Sequence, residues 1–350
     1  MGYNKLDKEW QNLWFNFIKT NYSLPWFWKY ISTNHNLYFD MIEKNPELPW
    51  DKCDKMYSLN PNITWDDVQK KPHEFWDWAC LSQNDSITMD IVKQNPDKPW
   101  NYWAMSTNSN ITIDFIKENK DLNWNWDCLS LNDNLTFDNF NDNKDLNWQW
   151  KYVSCNPNVK IAHILDNSKL DWDLNSFFVY NKGITWSDVT NNIHLSWNWN
   201  SISYNVPVTI DIVKQNLDKK WNWHGLSANS GICFKDYLEN PQFDWTMEGL
   251  SGNPNVTWSD IQSNIDLDWD WWWVSYNESI DFQTVIDNPD CNWRWINLSN
   301  NYMSKAKEKW IAIKRNEIIK SNIIKRYWTK YSYNPYYPMG VRVILRRAEY

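Results

Sequence analysis

A tryptophan recurs every 24 residues along most of this chain, and a period of that kind limits the fold to a stacked array of one small module. Trp26, Trp50, Trp76, Trp100, Trp124, Trp148, Trp172, Trp197, Trp221, Trp245, Trp269 and Trp293 are 24 residues apart, with one spacing of 26 and one of 25, which makes twelve units. Eight residues on, once the two insertions are allowed, every unit has an asparagine: Asn34, Asn60, Asn84, Asn108, Asn132, Asn156, Asn181, Asn205, Asn229, Asn253, Asn277 and Asn301. The consensus is N-P-x-x-x-W-x-W-x-x-L-S-x-N-x-N-I-T-x-D-x-V-x-x.

Each unit divides into two short helical halves. In the first, an aromatic residue two after the anchor and an apolar residue three further on share one helix face, as Trp126 and Leu129 do. The second opens on a threonine with an aspartate two residues later, as in Thr88 and Asp90, Thr112 and Asp114, Thr136 and Asp138, and Thr209 and Asp211. Threonine is a good N-cap and a first-turn aspartate suits the helix dipole. Val92, Ile116, Val213 and Val285 then supply a buried face.

Only 7 glycines occur in 350 residues, so asparagine is the next choice wherever a helix ends in the left-handed conformation. That assigns Asn45, Asn95, Asn119, Asn143, Asn167, Asn192, Asn216, Asn240, Asn264 and Asn288 as closing residues of the second half, with Lys71 breaking the series. An exposed asparagine ladder reading a ligand is the functional alternative.

Such a helix pair does not fold alone. Ordering 24 residues costs about 36 kcal/mol at 1.5 kcal/mol per residue, and a buried Trp returns ~4–6 kcal/mol as an upper bound. Stacking supplies the missing burial. The expected fold is therefore all-α: an α-solenoid of about twelve 24-residue helix-pair repeats with N- and C-terminal capping helices, elongated to roughly 100–120 Å if the superhelix stays open. The domain reading is an N-terminal capping helix over 1–21, repeats over 22–302 and a basic helix and tail over 303–350. Units two and seven, near residues 50–60 and 172–181, depart from the pattern and are expected to form bends or loops.

Beyond Asn301 the composition changes. Residues 303–350 hold 12 Lys and Arg against 3 Glu, a net of +9, which leaves residues 1–302 with 23 basic against 40 acidic, a net of −17. Apolar positions from Trp310 to Tyr331 predict one long helix from about Ser304 to Tyr331. Lys307, Lys314, Lys320, Lys325, Arg326 and Lys330, with Arg342, Arg346 and Arg347 beyond, are candidate contacts to an acidic partner or to phosphates. The bland reading is a solvated cap helix offsetting the acidic solenoid.

Other chemistry is sparse. The chain has no G-x-x-x-x-G-K-[ST], G-x-G-x-x-G, G-x-S-x-G or H-E-x-x-H motif, and its five histidines sit at unrelated register positions. The six cysteines never form C-x-x-C, which points to packed thiols rather than disulfides or zinc. No catalytic, cofactor-binding or metal site is expected, and no cofactor. No run of eighteen apolar residues and no secretory signal occurs at Met1 to Lys19, so no membrane partner and a cytoplasmic setting are expected. The periodic tryptophans read as core; base stacking is the alternative, and the −17 charge of the repeats opposes it.

Asn95-Pro-Asp-Lys-Pro-Trp100 leading to Met105-Ser-Thr-Asn108, and Trp221-Asn-Trp-His-Gly-Leu-Ser-Ala-Asn229, are similar to the Trp-rich N-P-x-x-x-W-x-W-x-x-L-S-x-N repeats of giant amoeba viruses, the mimivirus-like group. The similarity spans about residues 21–301. Ile324-Lys-Arg-Tyr-Trp-Thr-Lys-Tyr-Ser-Tyr-Asn-Pro335 resembles the R-I-Q-x-W-W-x-x-x-x-x-x-P endings of such proteins, with Lys325 in place of Gln. The resemblance implies no catalytic residues and a role in protein contacts, in the virion or the host cytoplasm. The expected function is a non-enzymatic repeat scaffold for protein–protein interaction; the alternative is a nucleic-acid-binding protein acting through 303–350.

Overall fold

The computed structural model describes residues 3–50, 56–71 and 76–332. Cys53, His73, Arg342, Arg346 and Arg347 lie outside them. All the described elements are helices, arranged as an α-solenoid-like repeat. The first helix of a unit begins at the aromatic two residues after the anchor, as in Trp126–Leu131, and the second follows the threonine, as in Phe137–Asp142. Thr88, Thr112 and Thr209 cap their helices by accepting the N–H three residues on. The residue after the anchor does the same for the first helix: Asp77, Asn101, Asn125 and Asn222 accept from Cys80, Ala104, Cys128 and Gly225.

The closing asparagines do not adopt the left-handed conformation. From Asn95 to Asn288 their φ values lie between −122 and −134°, and the one non-glycine residue with positive φ among those described is Met303, at 53°. Asparagine is used here for its amide. Asn119 Nδ2 donates to Phe115 O at 2.9 Å, satisfying a carbonyl the helix end leaves open, and Asn119 O accepts the anchor indole of Trp124 at 2.9 Å. All twelve anchors donate to the residue five before them. Lys71 lacks the amide but still supplies the backbone carbonyl, which Trp76 binds at 3.0 Å.

Two further side chains stitch neighbouring units. The serine of the first helix donates to the carbonyl four residues back and accepts the first N–H of the next unit, as Ser106 does from Asn125 at 2.9 Å. The asparagine eight after the anchor is buried, and its amide spans two carbonyls of the preceding unit: Asn132 Nδ2 reaches Ser106 O and Asn108 O at 3.2 and 3.0 Å. Asn205 is the exception. Its helix is a residue longer, Trp199–Asn205, so the side chain is exposed and Val206 takes the buried place. Unit seven likewise lengthens its helix, Leu174–Tyr180, rather than looping out. In unit two the described part of the first half is a 3-10 turn, Met56–Leu59, and the rest of the expected bend, residues 51–55, lies outside the described residues.

The array is not elongated; it closes on itself. Asn34 Nδ2 donates to Ser299 O and Asn301 O at 3.2 and 3.1 Å, as Asn60 does to Ser32 O and Asn34 O. Phe27 N–H donates to Ser299 Oγ at 3.0 Å. Trp295 meets Trp26 edge to face at 4.9 Å and 82°, as Trp126 meets Trp148 at 5.3 Å and 81°. Unit twelve therefore joins unit one through the contacts that join any other neighbours, and a rotation of about 30° per unit makes a ring.

The terminal helices meet at this seam. The N-terminal helix, Tyr3–Thr20, ends as a second helix does: Asn21 Nδ2 donates to Phe17 O, Trp26 donates to Asn21 O, and Phe17 packs on Trp26 and on Phe282 of the preceding second helix. It fills the place a second helix of unit twelve would take. The C-terminal helix, Ser304–Ser332, starts after Met303 and packs across it, with Trp310 5.8 Å from Trp10 and Lys307 paired to Asp7 at 2.8 Å.

Candidate interaction surfaces

First helices pack side by side around the ring, while neighbouring second helices stay further apart, so the first helices form the inner wall. At ~9 Å between helix axes, twelve of them enclose an opening about 20–25 Å across after allowing for side chains. The core face of each first helix is spent on its own leucine and the anchor indoles. Its remaining face carries a second, non-periodic set of aromatics: Trp103, Trp272, Trp273, Tyr204 and Tyr276 are all exposed. A cleft of ≈ 740 Å³ lies on this wall at units four to seven, lined among others by Cys128, Leu131, Tyr152, Tyr180, Lys151 and Lys182. A second, of ≈ 180 Å³, spans the seam between Tyr30, Trp272, Trp273, Tyr276 and Ile296. Charged wall residues are few and of both signs: Lys29, Asp127, Lys151 and Glu248 hold equivalent positions. The −17 charge consequently resides mainly on the second helices and the turns.

The C-terminal helix is the other surface. Ala306 and Ile311 are buried against the ring, but every residue from 316 to 330 is exposed. This stretch is an arm about 22 Å long at 1.5 Å per residue. Ile319, Ile323 and Tyr327, four apart, share one side with Ile324 and Trp328 adjoining, and all five are 47–66% exposed. Lys325 projects from the opposite side and Arg326 lies at the edge beside Ile319, while Lys320 and Lys330 interrupt the apolar side. Of the basic residues singled out in the sequence, Lys307 is half-buried in its pair with Asp7, and Lys314 pairs with Glu317 at 2.9 Å beside the Trp310 ring. Lys320, Lys325, Arg326 and Lys330 ride on the exposed arm.

Titratable groups elsewhere are tuned by burial. His35 stacks on Tyr302 at 4.0 Å in the seam, and burial, with Lys307 adding to it against Asp85, holds its pKa below the ordinary 6.5. His163, stacked on Phe137 at 4.4 Å, is lowered in the same way. Burial raises all five described cysteines, Cys80 to about 11 with Asp77 adding to it. Among the described residues no group of three His, Cys, Asp or Glu is placed to hold a metal ion, and no helix is long and apolar enough to cross a membrane. The long C-terminal helix was legible in its apolar spacing, but it was expected as a cap, and its projection beyond residue 315 was not foreseen; nor were the wall aromatics, because they follow no period. Compared with models of known families, with curated proteins and with solved structures, the chain matches none.

Proposed function

We propose that this protein is a non-catalytic, ring-shaped scaffold that binds a protein partner. One observation carries the reading: a helix anchored to the ring by its first two turns holds fifteen consecutive residues in solvent, with five large apolar side chains on one side. Contiguous exposed apolar surface of this kind marks an interaction site, and an amphipathic helix suits a groove on a partner. The pKa values of the five described thiols, raised by burial, and of His35 and His163, lowered by it, favour a scaffold over an enzyme. The tryptophan repeat motif favours a giant-virus protein acting in the virion or the host cytoplasm. Nucleic-acid binding through 303–350 is the weaker reading, since Lys307 and Lys314 are already ion-paired within the chain.

The test is recovery of partners by the full chain and by a triple variant, Ile319→Ser, Ile323→Ser and Trp328→Ser, whose sites are exposed and leave the fold intact. Selective loss of recovered proteins supports the reading; an identical set of proteins with both chains refutes it. A steep fall of nucleic-acid binding with salt, with a log–log slope near −0.9 per duplex phosphate contacted, would support the alternative.

A further inference from the structure

The cleft of ≈ 740 Å³ at units four to seven exists because the wall positions there are small. Four residues after the anchor, unit eleven has Trp273, whereas units five and seven have Cys128 and Ser176. Seven after it, unit eleven has Tyr276, whereas units four and six have Thr107 and Cys155. Leu131 and Tyr152 add apolar surface to the space so left. Tyr180, the residue by which the unit-seven helix exceeds the regular six, lines it as well and is 64% exposed. At ~9 Å between first-helix axes, a cleft shared by four units is a trough about 25 Å long. Its volume is that of a small-molecule site, and its length suits a chain better than a compact ring system.

The cleft also has an electrical polarity opposite to that of the repeats. Two ammonium groups, of Lys151 and Lys182, line it against one carboxylate, of Asp133. Among the described residues neither lysine is ion-paired. Asp173, which caps the unit-seven helix, uses both carboxylate oxygens on Ser176, at 3.0 Å from its N–H and 2.7 Å from its hydroxyl. Lys160 brings a third ammonium to the rim, its Nζ 2.8 Å from the carbonyl of Pro157, itself a lining residue. All three lysines belong to units six and seven and Asp133 to unit five, so a negative group is drawn to one end of the trough and repelled from the other. We propose that this cleft binds a long-chain carboxylate, with its head at Lys151 and Lys182 and its chain running over Tyr152 and Leu131 toward Thr107. Each ammonium can give the head a charge-assisted hydrogen bond. The site uses no residue of the C-terminal helix and so goes beyond the partner reading above.

Titration calorimetry of the full chain with dodecanoate, kept below its micellar concentration, tests the proposal. The expected result is one dodecanoate bound per chain, with decanoate about tenfold weaker for its two missing methylenes. Dodecyltrimethylammonium, the same chain with a cationic head, should bind about tenfold more weakly or worse. Lys151→Met/Lys182→Met keeps the aliphatic stems and should weaken dodecanoate about tenfold or more, whereas Lys29→Met, at the equivalent wall position of unit one, should leave it unchanged. Leu131→Asp, at a site 40% exposed, should weaken it too and serves if the double variant fails to fold by circular dichroism. No binding of dodecanoate, equal binding of the two head groups, or binding that none of the cleft variants weakens overturns the inference.

Discussion

The buried asparagine eight after the anchor makes the sharpest stability prediction, because the chain contains its own control. Asn108 is fully buried; its amide donates to Ser82 O, Asn84 O and Ile87 O at 3.1, 3.0 and 3.1 Å, and its Oδ1 accepts Asn110 N–H at 2.7 Å. Asn108→Ala removes all four bonds. Ile87 O keeps a donor in Asn110 Nδ2, and Asn84 O keeps Ile87 N–H, so about two to three groups lose a partner they do not recover. At about 1 kcal/mol net each, rising where a buried group is left bare, the cost is about 2–4 kcal/mol. Asn205 occupies the same consensus position but is exposed, with one bond to Ser201 Oγ at 3.0 Å and a long one to Val179 O at 3.3 Å; Asn205→Ala should cost under about 1 kcal/mol. Urea unfolding of both variants, followed by circular dichroism, gives the two midpoints at a common slope. An Asn108→Ala cost below about 1 kcal/mol, or equal costs for the pair, would refute the ladder as a source of stability.

Other outcomes follow from the same contacts. Trp148→Ala should destabilise by about 3–5 kcal/mol, the anchor being 6% exposed, whereas Trp103→Ala, at 53% exposed, should change the unfolding midpoint little. Gly249→Ala should destabilise by about 1–3 kcal/mol, since a Cβ there would lie 2.6 Å from Ser227 Cβ and 2.7 Å from His224 O, and neither can swing away. His35 and His163 have lowered pKa values in the fold, so their contribution is complete above about pH 6.5 and is lost as the pH falls below it through the folded values. Thermal unfolding from pH 8 to pH 5 should show that loss, and His35→Phe should flatten part of it.

The period, the helix pair and the anchor tryptophans could be read from spacing alone, because a residue recurring every 24 positions must meet the same environment each time. The caps on the second helices were legible for the same reason. Closure was not, since curvature depends on small rotations that no single residue type encodes. The asparagines misled in conformation though not in place: scarce glycine suggested a left-handed residue, while the amide's capacity to donate to the carbonyl four back made that conformation unnecessary. Asn205 misled in register, because one extra helical residue moves a side chain by about 100° while the sequence interval looks unchanged. Of the candidate contacts, sequence polarity marked the C-terminal helix as distinct, but it was expected as a cap and not as a projecting arm, and the charge of Lys307 is held by Asp7 across the seam.

Closure also changes what the terminal helices do. In an open solenoid each end unit leaves a face bare and needs its own cap. Here the ring exposes one vacancy, the missing second helix of unit twelve, and the N-terminal helix fills it from the opposite end of the chain. The fit is imperfect. The twelve anchor indoles all find a carbonyl, but the indole N–H groups of Trp10 and Trp14 and Oε1 of Gln11 are buried without a partner, all three on this helix. Buried polar groups left unpaired cost free energy, and three of the four such side-chain atoms among the described residues lie on this helix, the fourth being Asn141 Oδ1. The seam is also where His35, the Asp7–Lys307 pair and the root of the basic arm come together. A force or a partner acting on the arm is therefore applied at the joint that the two ends of the chain share, against the helix that carries those unpaired groups.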